Sequence, residues 1–192
     1  MISTTVKSLE ENPTADYYCF RVAENIRAVA EHYIESLHLA MAVFVVSSAA
    51  KLFHRCTDKF NGPKGILNCM HNMQEISQKK HRTLFMGDLV EKRMMQLLEM
   101  IRSFEGCDLL RKASLLGRAH IVLGNYFKTT DNSQSAKDNF VIAIQMYEDT
   151  FKDNAKSYSQ YGICTHNLAA CIAIEGQLLE AEKLLIQAIG RL

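Results

Sequence analysis

The chain has 192 residues, 48% of them apolar and 22% charged, enough for one well-buried domain or a short repeat array. A formal net charge of +1 excludes a global field that would draw in nucleic acid or an anionic membrane. Two prolines and nine glycines are too few turn formers for an all-β protein of this length, so an all-α fold is expected.

Residues 1–15 are mostly polar and carry Asn12-Pro13-Thr14, which predicts a flexible N-terminal segment. A helix then begins near Asp16, with Tyr17, Phe20, Val22, Ile26, Val29 and Tyr33 on its apolar side. A second, more apolar helix covers Leu37 to Cys56. Its run LHLAMAVFVVSSAA is shorter than the roughly 20 apolar residues a bilayer requires, and His38 interrupts it. No membrane span is expected, and a helix apolar nearly all round belongs between neighbouring helices. Lys59-Phe60-Asn61-Gly62-Pro63-Lys64-Gly65 reads as a loop. Helical patterning resumes at Ile66–Ser77. It returns over 83–104, where Leu84, Met86, Leu89, Met94, Leu97, Leu98 and Ile101 recur at helical spacing. Gly106 is expected just past the end of that helix, in the left-handed position.

No secretory leader is expected ahead of the six cysteines, because the first residues are polar and include Glu10 and Glu11. They read as reduced thiols of a cytoplasmic or nuclear protein.

The stretch from Arg111 is RKASLLGRAHIVLGNYFKTTDNSQSAKDNFVIAIQMYED. His120 holds a bulky position, followed by Leu123-Gly124 and Phe127 on a first helix. Ala136, Phe140 and Ala143 follow on a second, after a turn at Asp131-Asn132-Ser133 in which Asn132 or Ser133 can cap. Small residues at Gly124, Ala136 and Ala143 let two helix backbones approach, and Leu123, Phe127 and Phe140 fill the space beside them. From Tyr161 the pattern returns, each position 45 residues on: Leu168-Ala169, Ile172, Ala181, Leu185 and Ala188, with Gly176 at the turn. A fainter copy lies in Val29-Ala30, Tyr33, Ala42, Val46 and Ala49. The stretch 64–104 contains two helices of the right size but fits no register.

This pattern resembles the tetratricopeptide repeat, whose usual unit is about 34 residues. The longer unit is similar to the repeats of kinesin light chains, where an asparagine also precedes the Leu-Ala step, as Asn167 does here. The surplus falls in MYEDTFKDNAKSYSQ. The resemblance implies an α-α superhelix of helical hairpins, a right-handed solenoid, forming a single domain over 16–192. The repeats are clear in 111–192 and degenerate in 16–104.

A solenoid of that family binds along a concave face lined by the first helix of each pair. The resemblance places Arg118, Ile121, Val122, Asn125, Lys128 and Thr129, then His166, Asn167 and Ala170, at exposed positions there. Arg118, Asn125, Lys128, His166 and Asn167 are the candidate ligand contacts. Asn125 falls where chaperone-binding members keep an asparagine of a carboxylate clamp. Ile121 stands where the clamp has a lysine and Ala170 where it has a second asparagine, so the clamp is incomplete.

Other constellations are weaker. His54-Arg55-Cys56 and Cys69-Met70-His71 offer zinc-type ligands, but residues i and i+2 on a helix point to different sides. Glu35-x-x-His38 is half of a di-iron helix signature without a second half. Lys79-Lys80-His81-Arg82 is a basic cluster without an array of stacking aromatics to bind nucleic acid. No phosphate loop, nucleophile elbow or Cys-x-x-Cys occurs. The expectation is a non-catalytic scaffold or adaptor of a multiprotein complex that binds another protein or peptide segment. It involves no cofactor, metal, nucleic acid or membrane. The alternative is a helical metalloprotein or enzyme using the Cys/His residues around 54–71. The last helix presents Leu178, Leu184, Leu185 and Ile189 without a polar cap, which predicts packing on another subunit or a second copy.

Overall fold

The structure, a computed structural model, describes residues 13–56, 58–79, 87–150 and 155–189. Among them are eight α-helices and no strand. They are α1 (Pro13–Glu35), α2 (Leu39–Arg55), α3 (Asn61–Gln78), α4 (Gly87–Ser103), α5 (Leu109–Thr129), α6 (Ser133–Thr150), α7 (Ala155–Ile174) and α8 (Leu178–Ile189). They fall into two compact units, residues 1–107 and 108–192. The flexible segment expected over 1–15 lies outside the described residues up to residue 12, and the chain is helical from Pro13.

In the first unit each helix packs on the next, and α1 also meets α3 as α2 meets α4. The expected face of α1 is corrected: Tyr17, Val22 and Val29 are exposed, and the buried line is Ala23, Ala30 and Ile34. Small side chains win this face because they let α2 approach. Phe20, half-buried, still packs on Phe53 at 5.7 Å between ring centroids. On α2, Ala42, Val43, Val46, Ala49, Ala50 and Phe53 are buried, but Met41 and Phe44 are exposed, so the helix is not covered all round. No helix of the described residues is long and apolar enough to cross a membrane.

The loop expected over 59–65 is shorter than its sequence suggests, because α3 starts at Asn61. The Asp58 carboxylate accepts from the Phe60 and Asn61 amides at 2.8 and 2.9 Å, giving the first turn its acceptors. Pro63 is tolerated in that first turn, where its missing N–H is no loss. Gly62 and Gly65 are there for contact. A Cβ on Gly65 would overlap the Phe53 ring, and one on Gly62 would lie 2.7 Å from Phe104. Beneath them Ile66, Leu67, Met70, Met73 and Ile76 join Met94 and Ile101 of α4 in the core. Of the helix expected over 83–104, residues 83–86 lie outside the described ones. Gly106 does take left-handed backbone, with φ of +76°, three residues past the end of α4.

In the second unit α5 packs on α6, α6 on α7 and α7 on α8, and α5 also touches α7. Asp108 caps α5 by accepting from the Arg111 amide at 2.9 Å. His120 is buried and pairs through Nδ1 with Asn139 Oδ1 at 2.8 Å. The Asn139 amide donates to the Ser135 carbonyl at 2.8 Å, which leaves Oδ1 as the acceptor and assigns the proton to His120 Nδ1. Part of the surplus length between the two repeats lengthens helices: α6 runs on to Thr150 and α7 starts as early as Ala155.

The hairpin turns carry the repeat into three dimensions. Asp131 has φ of +58°, and the Asn132 amide donates to the Phe127 carbonyl at 2.9 Å. Forty-five residues on, Gly176 has φ of +84° and the Gln177 amide donates to the Ile172 carbonyl at 3.2 Å. At the faint N-terminal copy Leu37 has φ of +61°, and the His38 amide donates to the Tyr33 carbonyl at 2.9 Å. Each is the same left-handed helix stop with a six-to-one bond. The residue after the left-handed one then opens the next helix: Ala42, Ala136 and Ala181 donate to the His38, Asn132 and Gln177 carbonyls at 3.0, 3.0 and 3.1 Å. Those three alanines are the ones aligned by sequence, and all are buried.

Candidate functional site

The candidate contacts of the second unit lie on α5 and α7, which touch each other. Asn125 and Asn167 meet: the Asn167 amide donates to Asn125 Oδ1 at 3.3 Å. Both are half-buried. Lys128 and His166 are exposed and Arg118 is half-buried. Ile121 and Val122, expected to be exposed, are instead buried. Helix α5 packs on both α6 and α7, and its apolar stripe is correspondingly broad. Of the expected contacts, the linked Asn125 and Asn167 amides, the exposed Lys128, Thr129 and His166 and the half-buried Arg118 remain. Such groups can hydrogen-bond a peptide backbone, and they include no nucleophile with its base.

The Cys/His residues of the first unit do not converge. His54 is exposed and Cys56, the extended residue that ends α2, is buried, while on α3 Cys69 is buried and His71 exposed, as a helical spacing of two dictates. Among the described residues no three His, Cys, Asp or Glu side chains are grouped to hold a metal ion. Burial pushes the Cys69 thiol up to about 12, away from the thiolate a metal or an electrophile needs. Cys56 is pushed up too, by burial and by the neighbouring Cys19 thiol, and both thiols donate to the Leu52 carbonyl. His54 and Cys56 line a cavity of about 570 Å³ with Lys59, Ser103, Phe104 and Glu105. There His54 Nε2 lies 3.3 Å from Ser103 Oγ and its ring stands edge-on to Phe104. The Ser103 hydroxyl also reaches the Met100 carbonyl in its own helix at 3.3 Å, an ordinary helix-end bond.

The remaining motifs sit at helix ends. Glu35 closes α1 and His38 precedes α2, with Nδ1 at 3.1 Å from Ser36 Oγ. Lys79 pairs with Glu75 at 3.3 Å, while residues 80–82 lie outside the described ones.

The outward side of α8, expected to present Leu178, Leu184, Leu185 and Ile189, exposes Leu178, Leu179, Ile186 and Ile189 by more than 60% each, with Leu185 36% exposed and Leu184 half-buried. A cleft between α2 and α4 that joins Lys51 to Arg93 had no sequence signal to single it out. It depends on which faces neighbouring helices leave uncovered, and helical periodicity alone does not fix that. No protein-family model matches the chain, and no curated protein matches it significantly.

Proposed function

We propose that the chain is a tetratricopeptide-like scaffold of the long-repeat kind, built of α-α superhelical hairpins. It binds other proteins and catalyses no reaction. The observation that supports this is the recurrence of one hairpin turn at Leu37, Asp131 and Gly176, in register with the sequence repeat. Repeated hairpins present long faces for partners rather than a closed pocket for chemistry. The linked Asn125 and Asn167 amides, with Lys128 and His166 beside them, serve as backbone contacts for a bound segment. The outward face of α8, with Leu178, Leu179, Ile186 and Ile189 uncovered, acts as an assembly face, toward a second copy or another subunit of a cytoplasmic or nuclear complex.

The test pairs the wild type with Leu179→Glu/Ile186→Glu, which charges that face without entering the core. Light scattering and affinity capture with mass spectrometry read the outcome, with circular dichroism as the folding control. The wild type is expected to self-associate or retain a defined partner that the double variant loses at unchanged helicity. A wild-type chain that stays monomeric at about 100 μM, with the same captured proteins as the variant, overturns the assembly face.

A further inference from the structure

The cleft between α2 and α4 belongs to the first unit alone. One stripe of α2 supplies Val43, Phe44, Ser47 and Lys51, and α4 supplies Leu89 and Arg93 one turn apart. The space they enclose is about 160 Å³. An apolar cavity of about 150 Å³ holds a benzene molecule, so this cleft accepts one leucine- or phenyl-sized side chain. Phe44 is 68% exposed and Leu89 41% exposed, an uncovered aromatic and an uncovered aliphatic on facing walls.

The polar groups give the cleft its sign. Lys51 and Arg93 are its charged residues, and neither has a carboxylate in ion-pair reach among the described residues. One Arg93 Nη donates to Gln96 at 2.7 Å, while its buried Nε finds no acceptor among those residues. A buried donor without an acceptor is costly and rare, but that Nε is out of reach of a partner, so what the cleft offers is the positive charge that the half-buried guanidinium shares with Lys51. The Ser47 and Ser48 hydroxyls are already committed to the Val43 and Phe44 carbonyls at 2.7 and 3.0 Å. Two cations and no free hydroxyl suit the two oxygens of a carboxylate better than the three of a phosphate. Two cations are also too few for a polybasic membrane patch.

We propose that this cleft docks an acidic segment of a partner protein. One leucine or phenylalanine side chain seats between Phe44 and Leu89, and an Asp or Glu about one helical turn away pairs with Arg93 and Lys51. This goes beyond the scaffold function, because it assigns a second face and a partner chemistry to the first unit.

The experiment uses the full chain and a defined array of fluorescein-labelled 12-residue peptides. Each carries Leu or Phe three or four residues from an Asp or Glu. Matched peptides change the acid to its amide or the apolar residue to Ala. Fluorescence polarisation is expected to show saturable binding by a subset of the acidic peptides, weakened about tenfold or more by either change. Lys51→Glu and Phe44→Asp, both at exposed positions, are expected to abolish it with the melting temperature retained. Arg93→Gln is expected to weaken it, whether or not it also alters stability. Equal binding of acid and amide peptides, indifference to Lys51→Glu and Phe44→Asp, or equal occupancy by inorganic phosphate or RNA would overturn the proposal. Failure here leaves the α8 assembly test untouched, since the two faces share no residue.

Discussion

Gly124 and Phe140 are in such close contact that a Cβ built on the glycine would stand 2.5 Å from the phenyl ring. The pair holds α5 against α6, and it is the kind of small-against-large contact that the repeat spacing requires.

Gly124→Ala is therefore expected to destabilise the protein by about 1–3 kcal/mol, the usual cost of overpacking, despite the better helix propensity of alanine. Gly162 is the control. It also lies within a helix, α7, but nothing comes within 4 Å of an added Cβ. Gly162→Ala is expected to be neutral or stabilising by up to about 1 kcal/mol. Urea denaturation of the two variants checks both signs, and equal effects would count against the contact.

Phe140 and its counterpart 45 residues on, Leu185, are not equivalent in space. Phe140 is fully buried, whereas Leu185 is 36% exposed. Helix α8 packs chiefly on α7, and its far side is left open among the described residues. Phe140→Ala is expected to cost about 3–5 kcal/mol and Leu185→Ala clearly less than the 2–5 kcal/mol typical of a buried leucine. Denaturation midpoints at constant m-value are the readout.

Leu37 stands in left-handed backbone with an exposed side chain. A branched-chain residue there costs roughly 1–2 kcal/mol relative to the right-handed region, and glycine pays almost none of it. Leu37→Gly is expected to stabilise the protein by about 0.5–1 kcal/mol, because little burial is lost in exchange. A lower melting temperature would mean that Leu37 makes contacts its exposure does not suggest.

The helical class and the hairpins were legible because they rest on local periodicity and on residues at fixed offsets. The α3 start was misread because glycine and proline break helices in general. Here Gly62 and Gly65 are demanded by Phe104 and Phe53, side chains that come near only after folding. The face of α1 was misread for the converse reason: Tyr17 and Val29 weigh heavily in any hydropathy pattern, but Ala23 and Ala30 are what α2 can approach. Asn125 and Asn167 were each legible as polar positions on first helices, though not as partners of one another. The Lys51–Arg93 cleft spans residues far apart in sequence and carries no motif.

Burial holds the Cys69 and Cys164 thiols up at about 12, whereas Cys19 and Cys107 are only half-buried. At pH 8 a thiol of pKa about 12 is thiolate only about once in ten thousand. Iodoacetamide is therefore expected to label Cys19 and Cys107 first in the native protein, and Cys69 and Cys164 only on unfolding. The linkage follows the same sign. Because the native pKa values are raised, stability is intact below the ordinary thiol range and falls as pH rises above it, where only the unfolded thiols ionise. Peptide mapping after timed alkylation checks the order, and early labelling of Cys164 would contradict the packing of α7.

Glu175, at the end of α7, reaches back to the start of α6. It accepts from the Lys137 ammonium at 2.8 Å and from the Ser133 hydroxyl at 2.5 Å. The Lys137 bond first, and then the Ser133 bond, hold its carboxyl below the ordinary glutamate range. A depressed native pKa gives stability that is present above the unfolded value, roughly 4.3, and is lost as pH falls through the native one. Glu175→Gln keeps the shape and removes the charge. Its melting temperature is expected to lie below the wild type at pH 7 and to converge with it on acidification toward pH 3. A gap that stays constant across that range would mean that the α6–α7 link acts through shape alone. Added salt should narrow the gap at pH 7, because the pair is exposed and its attraction is screened within a Debye length of about 10 Å at 0.1 M.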